Sequence, residues 1–141
     1  MPRLGISEVL EQVSEAKKPE EKIELLRKHN STVLRDVLRL AYDKDKVWLL
    51  PEGNPPFTRN ELPGQQGNLF AEWRRMYLFF EGGNPNLTAV KREYLFIQML
   101  ESIDPRDADL ICSIKDKKMP YKTVTKKLIE MAYPGFFGTS L

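Results

Sequence analysis

Apolar residues recur three and four positions apart through most of this chain, and this spacing limits the fold more than any other feature. Ile6, Val9, Leu10 and Val13 show it first, and similar series follow in later segments. This period is typical of amphipathic helices, whereas strands require polar and apolar residues to alternate. No strand alternation of useful length, internal repeat or heptad run is present. The sequence therefore predicts an all-α fold, an orthogonal bundle of six or seven helices.

Capping residues, prolines and glycines set the predicted helix ends. Ser7, Asn30 or Ser31, and Asp104 before a proline are of types that begin helices, and Gly82-Gly83 is of a type that ends one. The predicted helices cover about 7–17, 19–30, 32–42, 69–81, a fifth from residue 84 or 86, 105–115 and 123–132. Proline and glycine make residues 51–68 a loop in the middle of one domain, 1–141.

Several aromatic residues fall on the helical spacing of the fourth and fifth predicted helices. Phe70, Trp73, Tyr77 and Phe80 form one such stripe, and Tyr94 continues the pattern in the next helix. Rings at this spacing are typical of a packed face, whereas a base-stacking platform requires exposed rings. We expect these aromatic residues to lie mostly in the core.

Length and composition restrict the class of protein. A chain of 141 residues, 41% hydrophobic and 30% charged, has enough apolar surface for one ordinary core. No segment approaches the ~20 apolar residues that span a bilayer, and the start lacks the apolar run of a signal peptide. We therefore expect no membrane partner and a cytoplasmic location. Cys112 lies in an apolar pattern and is predicted to be a buried hydrophobe rather than a nucleophile.

The residue types that carry catalysis or bind metal do not form a recognisable group. His29 is the single histidine and has no second histidine or cysteine at ligand spacing, so a metal site is not predicted. No phosphate-binding glycine loop, nucleophile elbow or paired-histidine metalloprotease motif is present. We expect no catalytic residues, no cofactor and no enzymatic activity.

Positive charge is concentrated in residues 115–127. This segment holds six lysines against one aspartate, a net charge of +5, whereas the whole chain carries +2 and the remainder therefore about −3. Lysines beside a helix start can meet phosphate together with free backbone N–H groups, although lysine runs are also commonly solvated helix faces. Thr123 and Thr125 can donate hydrogen bonds to phosphate, and Tyr121 can lie against a sugar or base.

Five short segments, taken in order, resemble a known domain. They are residues 19–30, residues 34–43, Gly83-Asn84, residues 114–116 and residues 133–137. Together they are similar to the N-terminal helical DNA-binding domain of phage-type ATP-dependent DNA ligases. The chain also resembles a group of small proteins from T-even-like phages. The resemblance covers most of the chain but not the middle loop.

The resemblance implies an all-α module that grips duplex DNA across the minor groove, mostly through phosphates. It places Gly83-Asn84 at a turn that approaches the DNA backbone, and Lys115-Asp116 before a second phosphate turn. Two departures are clear, because Pro85-Asn86 follows the first turn and Met119-Pro120 replaces the Cys-Gly of the second. The Lys-x-Asp-Gly adenylation motif is absent, so ligation by this chain is not expected.

Two functions follow as hypotheses. The first is a non-catalytic accessory protein of phage replication, repair or transcription that binds duplex DNA, intact or nicked, in the host-cell cytoplasm. Its predicted DNA contacts are Gly83, Asn84, Lys115, Lys117, Lys118, Tyr121, Lys122, Thr123, Thr125, Lys126 and Lys127. The second is a protein-interaction module that has lost DNA binding and holds a host or phage protein through Phe136 and Phe137. In the ligase-like pattern the same two rings close the domain's own core.

Overall fold

Seven α-helices and one 3-10 helix form the part of the chain that the computed structural model describes, residues 4–43, 45–61 and 69–137. The α-helices are α1 Ile6–Glu15, α2 Pro19–Lys28, α3 Thr32–Tyr42, α4 Leu69–Glu72, α5 Ala89–Ser102, α6 Pro105–Lys115 and α7 Lys126–Ala132, and the 3-10 helix is Trp73–Phe79. Within these residues the one β-like pairing is an isolated antiparallel bridge between Trp48 and Phe80. The predicted all-α fold is confirmed.

Helix α6 occupies the centre of the core. It packs against α1, α3 and α5, and α2 packs against α1 and α7. Leu110, Ile111 and Ile114 on α6 are almost fully buried. Cys112 is buried beside them, and this burial raises the pKa of its thiol to about 11, which keeps it protonated at neutral pH. The prediction that Cys112 is a buried hydrophobe is confirmed.

Local capping chemistry explains the helix starts that the sequence predicted well. The Ser31 hydroxyl accepts a hydrogen bond from the Leu34 amide at 3.1 Å, and Asp104 accepts one from the Arg106 amide at 2.8 Å. Each bond satisfies a donor that the first turn of a helix leaves without a partner. Consequently α3 and α6 match the predicted ranges 32–42 and 105–115.

Five other predicted boundaries were wrong by a few residues. The N-cap of α1 is Gly5 rather than Ser7, because the Ser7 amide lies inside the first turn and donates to the Asp107 carboxylate at 2.9 Å. Helix α1 ends at residue 15 and α2 at residue 28, short of the predicted 17 and 30. Helix α5 begins after Thr88 and α7 after Thr125, because the hydroxyls of these threonines cap the two helices.

The prediction of one α-helix over residues 69–81 was also wrong. Only its first four residues are α-helical, and the 3-10 helix that follows ends where Phe80 pairs with Trp48. The tighter winding changes which side chains face the core. Met76 and Phe79 are buried, whereas Tyr77 is 55% exposed, contrary to the expected stripe. Tyr94 on α5 is likewise 54% exposed rather than core.

The described part of the proline-rich loop lies against α5 and α6. The Thr58 amide donates to the Glu101 carboxylate at 2.7 Å, and the Arg59 guanidinium pairs with Asp109 at 2.7 Å. Residues 51–61 are thus an ordered excursion fastened to two helices, while residues 62–68 of the predicted loop lie outside the described residues.

Candidate nucleic-acid interface

Lys115, the first lysine of the basic segment, is turned into the protein. Its side chain is 2% exposed, and its ammonium donates to the Pro51 carbonyl oxygen and to the Asp116 carboxylate, both at 2.7 Å. Asp116 also accepts from the Gly53 amide at 3.1 Å. The pair therefore holds the proline-rich loop to the end of α6. Lys115 is a correction to the predicted DNA contacts, because its charge is buried and already paired.

Lys117 ends α6 in a strained backbone conformation. Its φ of +61° is the left-handed region, and its amide and that of Lys118 donate back to the carbonyls of Ile114 and Ser113. This is a Schellman motif, in which glycine usually occupies the position of Lys117. The Lys117 ammonium donates to the carbonyl oxygens of Asp43 at 2.6 Å and Lys46 at 2.8 Å. Partial burial lowers the pKa of Lys117, and its two hydrogen bonds fasten the segment after α3. The residue is exposed as a whole, so its predicted phosphate contact stays a prediction.

Substituting Lys117 separates the backbone strain from these side-chain contacts. Lys117→Ala keeps the left-handed strain and loses both hydrogen bonds, so we expect a loss of about 1–2 kcal/mol in the free energy of unfolding. Lys117→Gly loses the same bonds but relieves the strain, and it should be more stable than the alanine variant by about 1 kcal/mol. Urea unfolding measures both values. Wild-type stability in Lys117→Ala would show that the two ammonium contacts stabilise nothing.

The polar and aromatic residues of the segment contact other parts of the protein. The Tyr121 hydroxyl lies 3.5 Å from the Ser7 carbonyl oxygen, and burial raises its pKa to about 12. Thr123 donates to the Ser14 carbonyl oxygen, and Thr125 caps α7. Thr123 and Thr125 are nevertheless exposed, and the Thr125 hydroxyl accepts rather than donates in its cap, so the phosphate contacts predicted for these three residues stay predictions beside the internal contacts. The same contacts anchor the backbone, as does Tyr42, whose hydroxyl donates to the Val124 carbonyl oxygen at 2.7 Å.

Four exposed lysines of the segment differ from the exposed Lys117, because their ammonium groups donate no hydrogen bond within the described residues. Lys118, Lys122, Lys126 and Lys127 are exposed, and none of them forms an ion pair within the described residues. The Lys126 ammonium lies 5.1 Å from the centre of the Phe137 ring, a cation–π contact that leaves its charge without a carboxylate. The segment thus presents free positive charge on a backbone that the inward-facing residues hold in place.

The Gly83-Asn84 turn has an internal explanation for its glycine. A Cβ atom at Gly83 would overlap the Tyr77 carbonyl oxygen and lie 3.2 Å from that of Phe80. The Asn84 carboxamide oxygen accepts from the Asn86 amide at 3.1 Å, which forms a local turn. Close packing of the turn on the 3-10 helix therefore requires Gly83, whether or not the turn also approaches DNA.

Phe136 and Phe137 pack on the protein's own surface. Both are half-buried against the core, and the Phe137 ring meets Tyr42 edge-on with 5.9 Å between ring centres. The Arg39 guanidinium lies 4.5 Å from the centre of the Phe136 ring. Glu130 fixes the turn by accepting from the amides of Gly135 and Phe137. These contacts agree with the expectation that the two rings close the domain's own core.

A sequence-family match spans most of this structure. The model of DUF6433, described as a family of unknown function, matches residues 9–121, from α1 to the middle of the basic segment. The chain belongs to the DUF6433 family. Neither a curated protein nor a solved structure matches it. The DUF6433 match includes Gly83, Asn84 and Lys115, whereas Lys122 and the residues after it lie beyond its end.

The described part of this DUF6433 protein holds neither a membrane-spanning helix nor a metal-binding cluster. No helix in the described ranges is both long and apolar enough to cross a bilayer. In the same residues, no three or more histidine, cysteine, aspartate or glutamate side chains are placed to hold a metal ion.

The structure also brings together residues that the sequence did not mark as a site. A cleft of about 350 Å³ lies between α3 and the 3-10 helix of this DUF6433 protein. Its lining includes Arg39, Lys46, Arg74 and the exposed ring of Tyr77. No local sequence pattern could show that Tyr77 turns outward, because that depends on the 3-10 winding.

Proposed function

We propose that this protein is a non-catalytic, duplex-DNA-binding accessory protein of phage replication, repair or transcription, acting in the host-cell cytoplasm. The observation that carries the proposal is the set of four exposed lysines without carboxylate partners, Lys118, Lys122, Lys126 and Lys127. They follow one another along ten residues of anchored backbone. Neutralising phosphates in this way releases counterions from DNA, which is the main source of sequence-independent affinity.

The chemistry of these side chains favours phosphates over base edges. A lysine ammonium is a mobile point charge without the rigid bidentate geometry that arginine uses to recognise guanine. Contacts of this kind position a protein on DNA without reading its sequence. We therefore expect little sequence specificity.

The anchoring contacts support the same proposal. Thr123, Thr125 and Tyr121 fix the backbone on which the lysines stand, so less conformational entropy is lost when DNA binds. The likeness to ligase DNA-binding domains supports a grip on duplex DNA too, although Lys115 and Lys117 have structural positions here. The resulting proposal is a phosphate grip made by the second half of the basic segment.

A salt series tests the phosphate grip. If the four lysines each neutralise one phosphate, the logarithm of the association constant should fall against the logarithm of salt concentration with a slope of about −3.6. The Lys118/Lys122/Lys126→Ala variant keeps one of the four and should give a slope near −0.9. Fluorescence anisotropy with intact and nicked duplexes measures both slopes, and preference for nicked DNA would point to repair.

Two control variants make the salt series specific. A Lys118/Lys122/Lys126→Arg variant retains the charges and should retain the wild-type slope. A Lys28/Lys91→Ala variant removes two exposed charges from α2 and α5 and should change the slope little. A slope near zero in the wild type, or equal slopes in the wild type and the triple alanine variant, would overturn the phosphate grip.

A further inference from the structure

The cleft between α3 and the 3-10 helix has an aromatic wall that the protein leaves open. The Tyr77 ring, 55% exposed, lines it beside the half-buried Trp73. The Trp73 indole N–H donates to the Asp36 carboxylate at 3.0 Å, which fixes the orientation of that ring. An oriented indole and an exposed phenol in one cleft offer ring faces on which a planar ligand can stack.

Cations surround this aromatic wall. Arg39, Lys46 and Arg74 line the cleft, and the Lys46 ammonium lies 4.8 Å from the centre of the Phe80 ring. Planar rings below and positive charge around them suit a ligand that is itself planar and carries negative charge at its edge. Nucleotides within a DNA strand have both properties.

Two carboxylates also line the cleft, but protein donors already engage both. Asp36 accepts from Trp73 and pairs with the Arg39 guanidinium at 3.4 Å. Asp43 accepts from the Asp45 amide at 2.8 Å. The charges of Lys46 and Arg74 have no carboxylate partner among the residues described, so positive charge predominates at the rim.

The cleft adjoins the basic segment. The Lys117 ammonium binds the carbonyl oxygens of Asp43 and Lys46, two residues of the cleft lining. On its other side, Arg39 and Asp43 also line a second cleft of about 490 Å³ that includes Lys126. A DNA strand on the exposed lysines therefore has this aromatic cleft close by.

We infer that the cleft binds an unpaired nucleobase of the DNA that the lysines hold, such as a base of a flap, gap or single-stranded tail. The base stacks on Tyr77, while Arg39, Lys46 and Arg74 face its phosphates. The inference rests on the proposed function for its source of DNA, and it gives that function a preferred substrate class, namely duplexes with unpaired bases.

Tailed and blunt duplexes distinguish this inference from the phosphate grip. A four-thymidine tail should raise affinity about tenfold over the blunt duplex, since one stacked base is worth roughly that factor. Tyr77→Ala should abolish the gain without weakening blunt-duplex binding. Tyr77→Phe, the matched control, keeps the ring and should keep the gain.

Trp73 provides a direct signal from the cleft. In a Trp48→Phe background it is the one remaining tryptophan, and Trp48 is a suitable residue to replace because its buried N–H has no hydrogen-bond partner within the described structure. A short oligothymidine should quench Trp73 fluorescence in this background, and Tyr77→Ala should weaken the quenching. Equal affinities for tailed and blunt duplexes, or a tail effect that survives Tyr77→Ala, would overturn the inference. Quenching without blunt-duplex binding would support the cleft and overturn the phosphate grip.

Discussion

Lys115→Met is expected to lower the free energy of unfolding by about 3 kcal/mol, the lower part of the range for breaking one half of a buried ion pair. Methionine retains most of the aliphatic stem and removes only the ammonium, so the change isolates the charge. Among the described residues, the Gly53 amide is then the one donor left to the Asp116 carboxylate, whose side chain is 13% exposed. Denaturant unfolding measures the difference.

A double variant tests whether the lost stability comes from the Asp116 carboxylate that Lys115→Met leaves without its ion-pair partner. Replacing Asp116 with asparagine in the Lys115→Met background removes the unpaired charge and should restore part of the lost stability. Lys118→Ala, three residues further along and exposed, should change stability by less than about 0.5 kcal/mol. Equal stabilities of Lys115→Met and Lys118→Ala would contradict the role of Lys115 as an internal clamp.

The two inward-facing lysines show where sequence reasoning about the site failed. Lys115 and Lys117 have the same residue type and the same lysine-rich surroundings as the lysines that make no internal bond. Their acceptors are carbonyl oxygens 64 and 71 to 74 positions away, on the proline-rich loop and after α3. Charge patterning is local, so it could locate the basic segment but could not divide it into structural and free lysines.

Side-chain caps begin four of the described helices, and the sequence predicted two of these starts but missed those at Thr88 and Thr125. Ser31 and Asp104 bond to amides two or three residues away, and both helix starts followed from the sequence. The prediction that Tyr77 lies in the core was wrong because the 3-10 helix ends in a bridge to Trp48, about thirty positions earlier in the chain. The candidate cleft depends on that bridge, so it could not be predicted.

The basic segment intersperses residues that bond to the rest of the protein with the lysines proposed to bind DNA. Lys117, Tyr121, Thr123 and Thr125 bond inward and fix the backbone, while lysines between and beyond them point to solvent. A loose lysine run would lose more conformational entropy on binding a phosphate backbone. This division predicts that inward variants alter stability, whereas outward variants alter only DNA affinity.

Gly83→Ala is expected to destabilise the protein by about 3 kcal/mol, at the upper end of the cost of overpacking. The new methyl group would overlap the Tyr77 carbonyl oxygen, and backbone cannot move aside as a flexible side chain can. Relief requires the turn to separate from the 3-10 helix, next to the Phe80 bridge. The fluorescence of Trp48, which pairs with Phe80, should therefore change together with the unfolding midpoint.

Gly82→Ala is the matched control, one residue earlier. Gly82 has a φ of +86° and open space where its Cβ would lie, so alanine there meets backbone strain of about 1 kcal/mol and no overlap. At Gly83 the backbone φ is not positive, but a Cβ atom would overlap the Tyr77 carbonyl oxygen. A larger loss for Gly83→Ala than for Gly82→Ala would establish close packing, and not chain flexibility, as the reason for glycine at 83. The reverse order would mean that the turn separates from the 3-10 helix at little cost, which would leave Gly83 free to approach DNA as the ligase resemblance implies.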